Sequence, residues 1–221
     1  MTQVISVVQE KGGAGKTTLL ISLASLMAQD GARVAVVDTD DRRNLEAWAS
    51  KEATKLDWTY EDNDERLIPV IRTLKSSEPP YDVIFIDTAG FKSALAIYAI
   101  SASSLVLIPA KADESNARAA KRTYSHVQTV ADSTDKNIPA LVVLMDVDMR
   151  ANITKVVSKA LDDARVPRLK TVCAHRTGFK EMQSTGRGPE GGAKSAAEGV
   201  LAELQSRKLL AFYGEGGRWP V

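Results

Sequence analysis

Cysteine is almost absent from this chain: Cys173 is the only one among 221 residues. A single cysteine excludes an internal disulfide and gives no support to a cysteine-held metal or iron–sulfur cluster. The two histidines, His126 and His175, have no cysteine or histidine neighbour at ligand spacing, so a zinc site is not indicated. No Ser-His-Asp arrangement that would indicate nucleophilic catalysis is recognisable in the sequence. We expect Cys173 to be a buried strand residue.

Long apolar runs are also missing, so no segment predicts a bilayer-spanning helix. The chain enters its first predicted strand within a few residues, which leaves no room for a signal peptide and makes the cytoplasm the expected location. Aromatic residues make up 5%, hydrophobic residues 44% and charged residues 26% of the chain. This composition suits one α/β domain with a substantial core. We expect residues 1–221 to form that domain, with a mobile C-terminal tail.

The net charge is only +1, but it is unevenly distributed. Residues 150–221 contain 13 Lys and Arg against 7 Asp and Glu, a net charge of +6. Residues 1–149 contain 16 against 21, a net charge of −5. Such asymmetry indicates a basic face toward a polyanion. Scattered, solvated charge is an equally open interpretation at this point.

The strongest motif in the sequence is a glycine-rich loop. The β-branched run Val4–Val8 predicts a buried strand, and residues 19–27 predict a helix. Between them lies Lys11-Gly12-Gly13-Ala14-Gly15-Lys16-Thr17-Thr18. Strand, glycine loop and helix are the context of a phosphate-binding P-loop.

Each residue type in this loop has a chemical reason. The glycines lack Cβ atoms, so the backbone can take positive φ and turn its N–H groups toward a phosphate. Lys16 is placed to reach the β- and γ-phosphates, and the Thr17 hydroxyl to ligate Mg²⁺. We therefore predict that residues Gly12 to Thr18 bind ATP or ADP with Mg²⁺.

Carboxylates follow two further predicted strands. Asp38-Thr39-Asp40-Asp41 follows the apolar run Val34–Val37, and Asp87 ends the run Val83–Ile86. Ligands bind beyond the carboxyl ends of strands in open parallel sheets, so these carboxylates are expected near the phosphates.

Lys11 distinguishes this loop from an ordinary P-loop, because an ordinary P-loop needs no charged residue at the front of the motif. The lysine at the front of the loop resembles the deviant Walker A motif of the ParA/MinD superfamily. The resemblance implies a P-loop NTPase α/β fold: a three-layer sandwich with a mostly parallel central sheet and helices on both faces. It also implies that Lys11 reaches the partner's nucleotide across an ATP-dependent homodimer.

The carboxylates match the same superfamily. Asp38-Thr39-Asp40 resembles its switch I segment, in which Asp40 would orient the attacking water and Asp38 would lie in the outer shell of Mg²⁺. Asp87 resembles the Walker B aspartate that holds Mg²⁺ through water. Two departures occur: Asp41-Arg42 replaces the common Pro-Gln, and Thr88-Ala89-Gly90 lacks the Pro-Pro of many ParA proteins.

Further sites are predicted less directly. In this superfamily the loops after later strands hold the base, which places Met145 and Asp146 as candidates. The basic C-terminal part supplies candidate contacts to DNA without sequence preference: Arg165, Arg168, Lys170, Arg176, Lys180 and Arg187.

Periodicity places the remaining elements. A short strand is predicted around Trp58 and Tyr60, and others at 105–109, 140–145 and 167–173. Helices are predicted at 44–53, 66–74, 117–130, 152–164 and 193–210, with Pro69 tolerable only near a first turn. Residues 175–182 resemble the ParA segment that follows the last strand.

The resemblance implies a small ParA-type partition ATPase, associated with the nucleoid and stimulated by a centromere-binding, ParB-like adaptor. One alternative is the ParA-like group that assists conjugative T-DNA transfer, whose members also lack Pro-Pro after Walker B. A MinD-like positioning ATPase would need a C-terminal amphipathic anchor, for which Gly214–Trp219 is too short and glycine-rich. A scaffold that binds nucleotide without hydrolysis is a third possibility, against which Asp40 argues.

Overall fold

The computed structural model describes residues 2–51, 56–90 and 94–210. The strands in this part of the chain are β1 (Gln3–Val7), β2 (Val34–Asp38), β3 (Asp57–Tyr60), β4 (Val83–Asp87), β5 (Leu105–Lys111), β6 (Ala140–Val147) and β7 (Arg168–Ala174). The helices are α1 (Lys16–Gln29), α2 (Asn44–Ala49), α3 (Asp64–Lys75), α4 (Ala94–Ala102), α5 (Glu114–Ser133), α6 (Asn152–Asp163), α7 (Thr177–Thr185) and α8 (Gly191–Ser206).

The seven strands form one sheet in the order β3-β2-β4-β1-β5-β6-β7, and every pairing is parallel. Helices α1, α2, α7 and α8 cover one face of the sheet. Helices α3 to α6 cover the other face. The predicted three-layer α/β sandwich is confirmed, with a sheet that is parallel throughout the described strands.

The central strands are buried on both faces, which explains their continuous apolar runs. All five residues of β1, β2 and β4 are buried. In β4, Phe85 packs into the core beneath α1 while Ile84 and Ile86 pack against α3 and α4. A strand sandwiched in this way needs apolar side chains in both directions, so the sequence shows no alternation.

The strand order brings the predicted site together. β1 lies at the centre of the sheet between β4 and β5; the chain runs from β1 to β2 on one side and from β4 to β5 on the other. A crevice forms beyond the carboxyl ends of strands where the order reverses in this way. The residues after β1, β2 and β4 therefore share one edge of the sheet.

Several predicted boundaries shift for identifiable reasons. The Asp113 side chain accepts a bond from Asn116 N at 2.8 Å, so α5 begins at Glu114, before the predicted start at residue 117. The Asn63 side chain caps α3 at Glu65 N, which starts that helix early and leaves Pro69 beyond its first turn. Helix α4 was not predicted, because its nearly uniform apolar run has no helical periodicity.

The C-terminal elements also differ from their predicted bounds. Gly186 takes a left-handed conformation and ends α7, and α8 spans Gly191–Ser206 rather than 193–210. The helix predicted at 44–53 ends at Ala49, and residue 53 lies outside the described residues, as does the predicted C-terminal tail. No helix in the described ranges is long and apolar enough to cross a membrane.

Candidate functional site

The loop between β1 and α1 has the backbone that its glycines predict. Gly13 and Gly15 have φ values of 72° and 99°, and Gly15 is the N-cap residue of α1. A side chain at either position would be strained, since left-handed backbone disfavours most L-residues. Helix α1 then begins at Lys16, so its unpaired N–H groups open toward the loop. Ala14, between the two glycines, is buried.

Lys16 and Thr17 lie next to the Walker B carboxylate. The Thr17 hydroxyl donates to Asp87 Oδ2 at 2.6 Å. Lys16 is only 8% exposed, and this burial lowers the pKa of its ammonium, against the attraction of Asp87 and Asp40. A buried cation beside a helix N-terminus is the electrostatic requirement for binding phosphate.

Asp38 and Asp87 occupy matching positions on neighbouring strands. Asp38 Oδ2 and Asp87 Oδ1 are buried oxygens without a hydrogen-bond partner. Burial is the main cause that raises the pKa of Asp38 to about 6 and that of Asp87 to about 7. Unpartnered carboxylate oxygens beside the Thr17 hydroxyl fit a hard divalent cation such as Mg²⁺, which prefers oxygen ligands.

The switch segment after β2 is fixed by its own carboxylates. Asp38 Oδ1 accepts a bond from Asp40 N at 2.9 Å, and Asp40 Oδ1 accepts one from Arg42 N at 3.0 Å. Thr39 bonds the Asp87 carbonyl oxygen through both its N–H and its hydroxyl, each at 2.9 Å. The segment therefore carries Asp40 to the phosphate side of the crevice without help from a proline.

A cavity of about 570 Å³ lies in front of these residues. It brings together the loop glycines, Lys16, Thr17, Thr18 and Asp40, as predicted from the sequence. It also includes residues that were not predicted as part of the site: Glu10, Asp41, Arg42, Asn44, Ala89 and Gln183. Of these, Asp41, Arg42 and Ala89 carried a signal in the sequence, as departures from the family's Pro-Gln and Pro-Pro.

A smaller cavity of about 150 Å³ adjoins the loop on its other side and is lined in part by Met145 and Asp146. Met145 Cγ would lie 3.5 Å from a Cβ placed on Gly15. Asp146 accepts a hydrogen bond from His175 and pairs with Lys111 at 3.3 Å, contacts that lower the pKa of its carboxyl. Both predicted base-binding residues thus lie beside the P-loop, although Asp146 is already paired within the chain.

Lys11 lies on the outer side of the loop. Its Nζ atom bonds Ser115 Oγ at 3.1 Å and lies 3.7 Å from Asp113 Oδ1, at the start of α5. Lys16 faces the phosphate cavity, whereas Lys11 is held at this exposed position in the single chain. A cross-interface role for Lys11 remains a prediction.

The six predicted DNA contacts do not form one cluster. Arg168 starts β7 and Ala174 ends it, which separates the two ends of the strand by roughly 20 Å at about 3.3 Å per residue, and Arg176 lies two residues further along the chain. In the single chain the six residues therefore form two groups, and their role in DNA binding remains a prediction. One group lies near the far edge of the sheet: Arg165, Arg168 and Lys170. The other follows the carboxyl end of β7: Arg176, Lys180 and Arg187.

The two groups also differ in their contacts. The Arg168 guanidinium donates two bonds to Asp162, at 2.9 and 2.8 Å. Arg176 and Lys180 line the smaller cavity beside the P-loop, and the Arg187 carbonyl accepts from Trp48 Nε1 at 3.1 Å. Arg168 is thus partly neutralised, while Arg176 and Lys180 are close to the nucleotide site.

Comparisons with known proteins agree with this geometry. A VirC1 protein of Rhizobium rhizogenes is 29% identical over 195 residues, covering 80% of this chain and 78% of that protein. A ParA protein of Rhizobium radiobacter is 25% identical over 211 residues, covering 95% and 94%. The septum site-determining protein MinD of Pyrococcus horikoshii OT3, solved with Mg-ADP, superposes with a TM-score of 0.75 at 18% identity, covering 94% of this chain and 98% of that structure.

The VirC1 protein family model matches residues 2–188, which include the P-loop, both carboxylate strands and α7. Together with the lysine-fronted loop and the parallel sheet, this match shows that the chain belongs to the VirC1 protein family, within the ParA/MinD superfamily of ATPases.

Proposed function

We propose that this protein is a slow, Mg²⁺-dependent ATPase that uses ATP to assemble a homodimer on DNA. The observation that carries the proposal is the convergence of Lys16, Thr17, Asp38 and Asp87 at one edge of the sheet. Lys16 supplies buried positive charge for the phosphates, and Thr17 and Asp87 would hold Mg²⁺, with Asp38 in its outer shell. Bound Mg²⁺ would neutralise charge that develops on the transferring phosphoryl group.

Hydrolysis needs a water that attacks the γ-phosphorus in line with the bond to ADP. Positioning that water is a large part of phosphoryl-transfer catalysis. Asp40 is the carboxylate for this task, because it lines the phosphate cavity while Asp38 and Asp87 lie deeper in the core. Its Oδ1 atom is held by Arg42 N. Of the two other carboxylates that line the cavity, Glu10 pairs with Arg122 and Asp41 is exposed to solvent.

ATP-dependent dimerisation is proposed for Lys11. Its contacts in the single chain are an exposed hydroxyl and a 3.7 Å ion pair. Exposed pairs of this kind contribute roughly 0–1 kcal/mol, so they offer little resistance to a move toward a partner's γ-phosphate. ADP lacks that phosphate, which would make the dimer specific for ATP.

The DNA partner is proposed from charge. A dimer doubles the phosphate contacts of one chain, and salt-dependent affinity grows with the number of phosphates neutralised. The group that follows β7 is best placed for coupling to nucleotide, because Arg176 and Lys180 lie beside the P-loop. The protein would then act on the nucleoid with a DNA-binding adaptor of the ParB kind.

Two cellular roles fit this biochemistry. The small-ParA hypothesis predicts partition of a plasmid or chromosome. The VirC1 family match favours the alternative in which the ATPase assists conjugative T-DNA transfer. The two roles share the ATPase cycle and differ in the adaptor and in the DNA that it marks.

The proposal is tested by titrating the purified protein with a fluorescent ATP analogue and Mg²⁺, then measuring phosphate release and sedimentation. We expect binding, slow turnover, a dimer with ATP and a monomer with ADP. Absence of nucleotide binding would overturn the ATPase proposal. Binding and turnover without dimerisation would overturn only the DNA-coupled cycle.

A further inference from the structure

Two adjacent arginines, Arg42 and Arg43, follow the switch aspartates and have different surroundings. The Arg43 guanidinium lies 4.0 Å from the centre of the Tyr60 ring and 3.3 Å from Glu46 Oε2. These contacts turn Arg43 toward β3 and α2. Arg42 forms no ion pair with any carboxylate in the described part of the chain, and it lines the phosphate cavity.

The backbone fixes this division. Arg42 N donates to Asp40 Oδ1 at 3.0 Å, and Arg43 N donates to the Asp40 carbonyl oxygen at 2.9 Å. Arg43 then takes a left-handed conformation with φ of 49° and ends the turn before α2. Because both N–H groups are tied to Asp40, the backbone of Arg42 is held beside that carboxylate, and its exposed side chain lines the cavity.

The side chain lies in the electrostatic field of Lys16. The positive charge of Arg42 adds to the burial that lowers the pKa of Lys16. Two cations facing one cavity repel each other until an anion lies between them. A polyphosphate satisfies both, and a guanidinium adds a rigid fork of donors that suits phosphate oxygens.

Resting on the proposed ATPase function, we propose that Arg42 contacts the γ-phosphate of ATP bound to its own chain. The contact is catalytic as well as selective. It favours ATP over ADP before any dimer forms, and it opposes negative charge that builds on the phosphoryl oxygens during hydrolysis. The chain thereby places a guanidinium on the phosphate in cis, in addition to any charge that Lys11 brings from a partner.

The test compares Arg42→Asn with the matched control Arg43→Asn, since asparagine tolerates the left-handed backbone at position 43. Affinities for ADP and for a non-hydrolysable ATP analogue are measured by calorimetry with Mg²⁺. Hydrogen bonds to charged groups are worth about 1.5–3 kcal/mol, so Arg42→Asn should weaken the affinity for the analogue roughly 10- to 150-fold. ADP affinity should change less than about threefold, and Arg43→Asn should leave both near wild type.

Two further measurements complete the design. Repeating the titrations in a Lys11→Ala background should preserve the difference between the two nucleotides, because Arg42 acts within its own chain. The kcat of Arg42→Asn should fall by at least about tenfold, with partial recovery in Arg42→Lys. Equal losses for ADP and the analogue, or a loss that disappears with Lys11→Ala, would overturn the cis γ-phosphate contact. Failure of the wild-type protein to bind either nucleotide would instead overturn the ATPase function.

Discussion

Asp38 and Asp87 lie at the same level of neighbouring parallel strands, each with one buried carboxylate oxygen that lacks a hydrogen-bond partner. Because both carboxyls are removed from water, each holds its proton more tightly in the folded protein than in the unfolded chain. The ionised form of the pair therefore destabilises the folded protein until a cation binds between the two carboxylates. This relationship links the stability of the protein to pH and to Mg²⁺.

The first prediction concerns pH. The folded pKa values of about 6 and 7 exceed the ordinary value of 3.8, so the stability that these groups contribute is complete below about pH 4 and lost as pH rises through 6 and 7. Without Mg²⁺, the Tm of Asp87→Asn relative to the Tm of wild type should rise by at least about 2–4 °C as the pH is raised from 4 to 7.5. Thermal unfolding followed by circular dichroism measures this difference. The exposed-site variant Asp132→Asn serves as control, and parallel pH profiles for wild type and Asp87→Asn would contradict the prediction.

The second prediction concerns Lys16. Lys16→Ala removes a buried ammonium from the phosphate cavity, and a charge-assisted contact of this kind has no replacement in the loop. Nucleotide affinity should fall by at least about 100-fold. Titration with a fluorescent ATP analogue measures the loss, and Lys121→Ala on the exposed side of α5 should bind normally. A nucleotide affinity of Lys16→Ala close to that of wild type would contradict the assignment of residues Gly12 to Thr18 as the nucleotide-binding loop.

The third prediction separates binding from chemistry at Asp40. Asp40→Ala should bind ATP within about threefold of wild type but hydrolyse it at least about 100-fold more slowly, because the water loses its orienting acceptor. Asp40→Ala also frees Arg42 N, so Asp40→Asn is the matched variant that keeps an acceptor for that bond. Phosphate release under single-turnover conditions measures both. Unchanged turnover in Asp40→Asn would exclude the role.

The fourth prediction concerns Lys11. Lys11→Ala should keep ATP binding within a few-fold of wild type and lose the ATP-dependent dimer, since its ammonium is placed outside its own phosphate cavity. Sedimentation of the variants in an Asp40→Ala background measures dimerisation without hydrolysis. Lys155→Ala on exposed α6 should still dimerise. If Lys11→Ala dimerises as well as this control, the cross-interface role is wrong.

The fifth prediction compares the contributions of the two groups of basic residues to DNA binding. Arg176→Glu with Lys180→Glu should weaken ATP-dependent binding to random duplex DNA and lower its salt slope. Arg168→Glu with Lys170→Glu should have a smaller effect, because Asp162 already pairs with Arg168. Fluorescence anisotropy at several salt concentrations measures both, and ADP affinity shows whether Arg176 and Lys180 act on nucleotide instead. An equal loss from the two pairs would contradict the preference for Arg176 and Lys180.

The sequence by itself determined the fold and the phosphate loop. The pattern of the loop is local: glycines, Lys16 and Thr17 act within eight consecutive residues, between a strand and a helix that their own periodicity predicts. The continuous apolar runs of β1, β2 and β4 likewise required a sheet covered on both faces. Asp38 and Asp87 could be placed at one edge because parallel strands all end there.

Only the tertiary structure decided what depends on contacts between distant segments. The strand order places Asp38 beside Asp87, and no local pattern reveals that two oxygens stay unpartnered there. It also separates Arg168 from Arg176 at opposite ends of β7, although they are close in sequence. The turn after Asp40 sends Arg42 into the cavity and Arg43 onto Tyr60. The surroundings of a side chain depend on how distant segments pack, and neighbouring residues with the same charge therefore have different contacts here.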